Sequence, residues 1–362
     1  MTRALPHLPG TLTATQVRAT GEHIAEQQLP NGLIPWFDGY HADPWDHIEA
    51  AMALTVCGLD KEARRAYEWS AQNQQRDGTW PMEIIGHTAR DASVDTNQVA
   101  YVAVGVWHYW QSTGRRHIVD EMWPVVRRAI DFVVDCRIPS GGIAWARDQS
   151  GVVSDSSLLT GNACILLSLR CAIALADLVG ESQPDWELCA GQVAHAVAVH
   201  PDEMQDKSRY SMDWYYPVLG GALRGADARD HLHRRWTDFV VPGRGIRCVN
   251  DAPWVTAAET CELVLTLTSI GDDDRALSLF RDVQFLRGDD GGYWTGWVWP
   301  EETIWPAERS TWTGAAVVLA ADALAQATPG HGLFRGDGLP RVVEMGADDC
   351  DRRCDALMGE PT

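Results

Sequence analysis

Helical periodicity runs through almost the whole chain, and it alternates between two kinds of helix. Apolar positions recur at helical spacing near residues 12–28, 44–57, 60–75, 95–113, 117–137, 157–180, 185–199, 212–224, 226–240, 254–270, 272–287 and 307–326. The second, fourth, sixth, tenth and twelfth of these runs are apolar on every side. Ala50-Ala-Met-Ala-Leu-Thr-Val56 and Ala315-Ala-Val-Val-Leu-Ala-Ala321 are examples. Their neighbours, such as Lys61-Glu-Ala-Arg-Arg-Ala-Tyr-Glu-Trp69, have one apolar stripe and a charged face. A helix apolar all round must be buried, whereas a striped helix can face water. The pattern therefore predicts an all-α protein of inner and outer helices.

The connections repeat as well. Gly32-Leu-Ile-Pro-Trp36, Gly78-Thr-Trp80, Gly142-Ile-Ala-Trp145 and Gly292-Tyr-Trp294 each follow an outer helix and precede an inner one. Gly245-Ile-Arg-Cys248 is a degenerate copy, and Met212-Asp-Trp214 takes its place in the fourth unit. A helix-pair repeat of this kind builds either an open array or a ring. An open array needs polar capping repeats at its ends, and neither terminal pair looks like one. The expectation is an (α/α)6 toroid of six helix pairs, forming one catalytic domain over residues 1–335. Residues 336–362 are acidic and poor in apolar side chains, and read as a loose tail.

Composition excludes several partners. The 362 residues carry 30 Lys plus Arg against 50 Asp plus Glu, a formal charge of -20. Nucleic acid and anionic lipid both select concentrated positive charge, so neither is an expected partner. No apolar run approaches a membrane span, and the N-terminus lacks the apolar core of a secretory signal. With nine cysteines in no framework spacing, the chain reads as cytoplasmic. No metal or cofactor is expected. Cys57, Cys164 and Cys261 sit inside apolar helices and read as buried thiols, and Cys350-x-x-x-Cys354 has no His nearby.

Seventeen Trp against six Phe and eight Tyr is a ratio that core packing does not need. In a ring, the recurrent loops emerge at one end, where the inner helices begin. Candidate substrate-binding residues at that mouth are Trp36, Tyr40, His41, Asp43, Trp45, Glu49, Trp80, Asp95, Trp145, Trp214, Tyr215, Trp254, Glu259, Trp294, Trp297 and Trp299. Indole faces stack on the apolar faces of sugars, while carboxylates accept their hydroxyls. A single Trp in such a loop serves equally well as a wedge between helix pairs. No basic residue is expected among them, which argues against a diphosphate substrate.

Asp43-Pro-Trp-Asp46-His-Ile-Glu49 opens the first inner helix, with Asp43 as N-cap and Pro44 in the first turn. Asp251-Ala-Pro-Trp-Val-Thr-Ala-Ala-Glu259-Thr-Cys-Glu262 opens the fifth in the same manner. Counted back from Gly58 and Gly271, Glu262 aligns with Glu49 and Glu259 with Asp46. Buried acids are rare unless paired or used. Paired carboxylates from facing helices are what glycoside hydrolysis requires. Asp46 and Glu262 are the expected catalytic pair, Asp46 as an ionised base at its helix N-terminus and Glu262 as a buried acid. The two labels are open to exchange. A separation in the wide range of inverting enzymes is expected.

Gln74-Gln-Arg-Asp-Gly78-Thr-Trp80 is similar to the QW repeat of triterpene cyclases, so an isoprenoid enzyme is the rival reading. The D-x-D-D acid of those cyclases is missing. A non-catalytic carbohydrate-binding protein is the third class. Taken together, Gly-x-x-Pro-Trp36, Asp43-Pro-Trp-Asp-His-x-Glu-Ala-Ala-Met-Ala-Leu54, Asp77-Gly-Thr-Trp-Pro81, Asp95-Thr-Asn97 with Ala100-Tyr-Val-Ala-Val-Gly-Val-Trp107-His, Trp123-Pro, Gly142-Ile-Ala-Trp-Ala146 and Ala257-Ala-Glu-Thr-Cys-Glu262 resemble one actinobacterial family. Its members are often labelled prenyltransferase-like. It is the family of methylmannose polysaccharide hydrolases, intracellular endo-acting α-mannanases. The resemblance covers about residues 20–330. It implies an (α/α)6 glycosidase acting on α-1,4-linked, partly O-methylated mannose chains, with Asp46 and Glu262 where that family carries its catalytic acids.

Overall fold

The computed structural model describes residues 4–345. The helices are α1 (Ala14–Gln27), α2 (Pro44–Val56), α3 (Asp60–Asn73), α4 (Thr96–Ala100), α5 (Val102–Thr113), α6 (Arg116–Asp135), α7 (Leu159–Val179), α8 (Pro184–Val199), α9 (Ser211–Leu219), α10 (Gly225–Arg234), α11 (Trp236–Phe239), α12 (Ala257–Ser269), α13 (Asp273–Asp282) and α14 (Thr311–Ala325). Each expected run is present, with the fourth and ninth broken in two. α2, α5, α7, α9, α12 and α14 pack each on the next, and α14 returns to α2, so the inner helices close a ring. α1, α3, α6, α8, α10 and α13 lie outside them. Every residue of α2 is buried, whereas α6 buries one stripe and leaves its other face in water.

One inner helix departs from the sequence reading. α7 is 21 residues long and apolar enough, by length and composition, to cross a membrane. In the ring it is surrounded by α5, α8 and α9 and is largely buried.

The loops at the mouth are not plain coil, which corrects the expectation of helix alone. They form β1 (Glu83–Ile85), β2 (Thr88–Asp91), β3 (Val94–Asp95), β4 (Ala146–Arg147), β5 (Val240–Val241), β6 (Gly245–Arg247), β7 (Trp254–Thr256), β8 (Gly296–Val298) and β9 (Thr303–Ile304). β1–β2 is a hairpin, β3 pairs with β4, and β5 to β9 form one antiparallel sheet in chain order. These strands are two to four residues long. That is too short for period-2 alternation to register in the sequence.

The glycine repeat has a steric cause. Gly78 has a φ of +90° and lies against the backbone of α6, where a Cβ would overlap the Arg128 carbonyl oxygen. Gly32, at φ +100°, meets the Arg65 carbonyl of α3 in the same way. The glutamine four residues earlier clamps each loop. Gln74 Nε2 donates to the carbonyls of Gly78 and Val125, and Gln28 Nε2 to those of Gly32 and Glu62. The QW-like pattern is thus a joint between neighbouring outer helices. Gly78→Ala would impose both a left-handed backbone on a side chain and a clash with main chain. It is expected to destabilise the fold by about 3 kcal/mol or more, read from urea unfolding.

Beyond residue 335 the described stretch lies along the ring. Arg170 Nε donates to the Pro340 carbonyl and Gln111 Nε2 to that of Asp337, and Leu339 and Val342 rest on the core. The remainder of the acidic segment, including Cys350 and Cys354, lies outside the described residues.

Candidate active site

The inner helices all begin at the mouth, so their first turns carry the chemistry. Asp43 caps α2, accepting from the amides of Trp45 and Asp46, both at 2.9 Å. This cap turns Asp46 inward, against Asp43 and towards α12. α2 and α12 both pack on α14, as anticipated for the first and fifth inner helices. Asp46, Glu49, Glu259 and Glu262 are all buried, and the charge of Glu262 reaches both Asp46 and Glu49.

The two deeper acids are held by phenols. Tyr216 donates to Glu262 Oε1 at 2.7 Å, and Tyr215 donates to Oε2. Tyr101 donates to Glu49 Oε2 at 2.9 Å. Burial pushes Glu262 up to about 8 even with both phenols stabilising its anion. Burial, then the neighbouring charge and hydrogen bond of Asp43, holds Asp46 well above the usual carboxylate range.

That arrangement bears on which of the two acts as acid and which as base, labels that are open to exchange. The α2 N-terminus was expected to keep Asp46 ionised. Asp43 occupies the free amides instead, and Asp46 hydrogen bonds to Asp43. Asp43 Oδ1 is already an acceptor, so the proton between the two carboxyls belongs to Asp46. Both oxygens of Glu262 are engaged by phenols, which stabilise its anion once it forms.

An aromatic wall stands beside Asp46. Trp45 stacks on Tyr101 at 4.5 Å and meets Trp312 edge-on, while Trp312 lies 5.5 Å from Trp36. Trp36 Nε1 donates to Glu308 at 3.1 Å, and its ring faces His41, which in turn meets Tyr40. Trp312 escaped the sequence reading, although it occupies the first turn of α14 (the same level as Trp45 in α2). Asp95 caps α4 and is raised to about 6 by burial. Trp145 lines an open cleft with Met82, Ser93 and Val152 at the same rim. Trp254 stands edge-on to Trp305 at 4.9 Å.

Other candidates are buried or covered by neighbouring side chains. Trp80 is buried and donates from Nε1 to the Ser70 carbonyl at 3.0 Å. Trp214 is buried in a stack on Phe239. Both are wedges. Glu49 is buried, with its Oε2 accepting from Tyr101. Trp297 lies on the sheet face shared with Val255 and Ile304, covered by Phe285 and Arg244. Arg247 covers Trp299, and Arg309 covers Trp294. Basic residues are thus present at this end after all. They are engaged with rings, or with carboxylates as in Arg209–Asp251 and Arg90–Glu83. Among the described residues no cluster of His, Cys, Asp and Glu could hold a metal.

Comparison with known proteins agrees with this geometry. No family model matches the sequence. The chain is 56% identical over 347 residues, 96% of each protein, to the MMP endo-(1,4)-3-O-methyl-alpha-D-mannosidase of Mycolicibacterium hassiacum. Among solved structures it resembles a glycosidase in complex with glucose, with a TM-score of 0.69 at 14% identity over 88% of this chain and 96% of that one. It also resembles the GH63 mannosylglycerate hydrolase of Thermus thermophilus, with a TM-score of 0.60 at 12% identity over 83% and 99% of the two chains. These structural likenesses establish a shared helical toroid. With so high an identity over nearly its whole length, the chain belongs to the family of methylmannose polysaccharide hydrolases.

Proposed function

We propose that the protein is a glycoside hydrolase that cleaves internal α-1,4 bonds of an O-methylated mannose polysaccharide. Its fold is an (α/α)6 toroid of six helix pairs, with residues 1–335 as the catalytic domain and the acidic end of the chain as an appendage. The observation that carries the reading is the buried pair Asp46 and Glu262, one hydrogen bonded to Asp43 and the other to two phenols, set on helices flanking α14. Asp46 protonates the departing oxygen while Glu262 draws a proton from water, which attacks the anomeric carbon. A water between base and sugar gives inversion. Trp36 and Trp312, with Trp45 packed behind them, offer apolar faces on which methylated sugars stack, each O-methyl adding surface. Asp43, Asp95, Tyr40, His41, Trp145 and Trp254 are the further candidates for contact with the sugar. The unpaired cysteines fit a cytoplasmic protein.

Incubation with 1,4-linked 3-O-methylmannose oligosaccharides and, separately, with prenyl diphosphates is the test. Shorter oligosaccharides are expected, with β-anomers appearing first by NMR, and no turnover of the diphosphates. Binding of the sugar without cleavage would overturn the enzyme reading, and α-anomers first would overturn inversion.

A further inference from the structure

Behind Glu262, on the side away from the mouth, lies a small cavity of about 10 Å³, room for about one water molecule. Leu167, Leu219, Leu265 and Phe334 form its apolar floor, and Glu49, Tyr101, Tyr216 and Glu262 its polar wall. Glu49 Oε1 is fully buried and has no hydrogen-bond partner, while its Oε2 is held by Tyr101. A buried carboxyl oxygen without a partner costs about 1–3 kcal/mol. A water in this cavity, with two to four polar partners, would remove that cost.

No Lys, Arg or His lines the cavity, yet two carboxyls share it. Two such groups cannot both be ionised at close range. Both oxygens of Glu262 already accept phenolic protons, whereas Glu49 has one oxygen free to carry its own. We propose that Glu49 is a positioning residue, neutral at working pH, that donates from Oε1 to a single water in this cavity, which donates in turn to Glu262. The chain of donors holds the carboxyl of the catalytic base in one orientation and eases its ionisation. The groups facing Glu49 fit this role. Tyr101 follows α4, Cys164 lies on α7, Tyr216 on α9 and Glu262 on α12, with Asp43 and Asp46 at the start of its own helix. None is a cation. The inference rests on Glu262 being the base.

The test compares Glu49→Gln with Glu49→Leu in the full chain, alongside Glu262→Gln. Gln keeps an acceptor for Tyr101 and an N–H donor toward the water, whereas Leu fills similar space with neither. Glu49→Gln is expected to lose no more than about tenfold in kcat. Glu49→Leu is expected to lose about a hundredfold with KM little changed, and its acidic limb should move to higher pH because the Glu262 anion has lost a donor. Infrared spectra at neutral pH should show one protonated buried carboxyl band in wild type that Glu49→Gln lacks, a readout that needs no substrate. A loss in Glu49→Gln as large as in Glu49→Leu, or absence of that band difference, overturns the proposal. Full activity in Glu262→Gln would overturn the catalytic pair instead, leaving the protonation of Glu49 to be judged by the infrared band.

Discussion

Glu262→Gln is expected to lower kcat by about a thousandfold or more while leaving oligosaccharide binding nearly intact. The substitution is close to isosteric, and its amide can still meet the two phenols. What it removes is the anion. A general base contributes roughly 10²–10⁴ in rate, so a thousandfold loss corresponds to ~4 kcal/mol of transition-state stabilisation. One phenol would still donate to the amide oxygen and the other would have to accept from the amide N–H, so two charge-assisted hydrogen bonds become neutral ones. The loss should persist on substrates with good leaving groups, because base assistance to water is needed whatever departs. The pH profile of wild type carries the same signature. Glu262, pushed up to about 8 in the unliganded site, must lose its proton to act, so kcat/KM should rise with pH through that region. Retention of more than about a tenth of the wild-type rate, under ~1.4 kcal/mol, would remove Glu262 from the catalytic pair.

The ring was legible in the sequence because its two helix classes differ in a property that composition records. α2 and α14 are apolar on all sides, and α3 and α6 are not. The alignment of Glu49 with Glu262 was legible for a related reason, since Gly58 and Gly271 end both helices at the same level. Neither signal reports the direction a side chain takes beyond the first turn. Tyr101 sits in an apolar run that any core aromatic would suit, so its bond to Glu49 left no trace. The Trp residues misled in the opposite sense. Trp80 and Trp36 follow the same glycine repeat, but Trp80 bonds inward to Ser70 and Trp36 outward to Glu308. Spacing from a conserved-looking turn fixes where an indole starts and leaves its rotamer to the surroundings. The surroundings of Asp46 were only half legible. The helix N-terminus was counted as an influence on Asp46, although its amides were already taken by Asp43.

Asp46→Asn should produce a loss of similar size that depends on the leaving group. On the polysaccharide, where an alkoxide must be protonated as it departs, about a thousandfold decrease in kcat is expected, ~4 kcal/mol. On an aryl mannoside with an acidic phenol the decrease should be tenfold or less, because such a group leaves without a proton. That contrast separates an acid from a base, since Glu262→Gln gains nothing from the better leaving group. The alkaline limb of the wild-type profile, where Asp46 gives up its proton, should flatten in the variant. Stability supplies a second, independent sign. The folded-state pKa of Asp46 lies well above its unfolded value of roughly 3.9. A carboxyl shifted upward contributes stability that is complete below the unfolded pKa and is lost as pH rises through the folded one. Asn cannot ionise and so avoids that loss. The variant is expected to melt above wild type at pH 8 and to approach it near pH 4, as a site strained for catalysis should. If the variant instead melts lower at pH 8 and loses equally on both substrates, Asp46 is an ionised structural group, and Asp95 and Glu259 become the acids to examine.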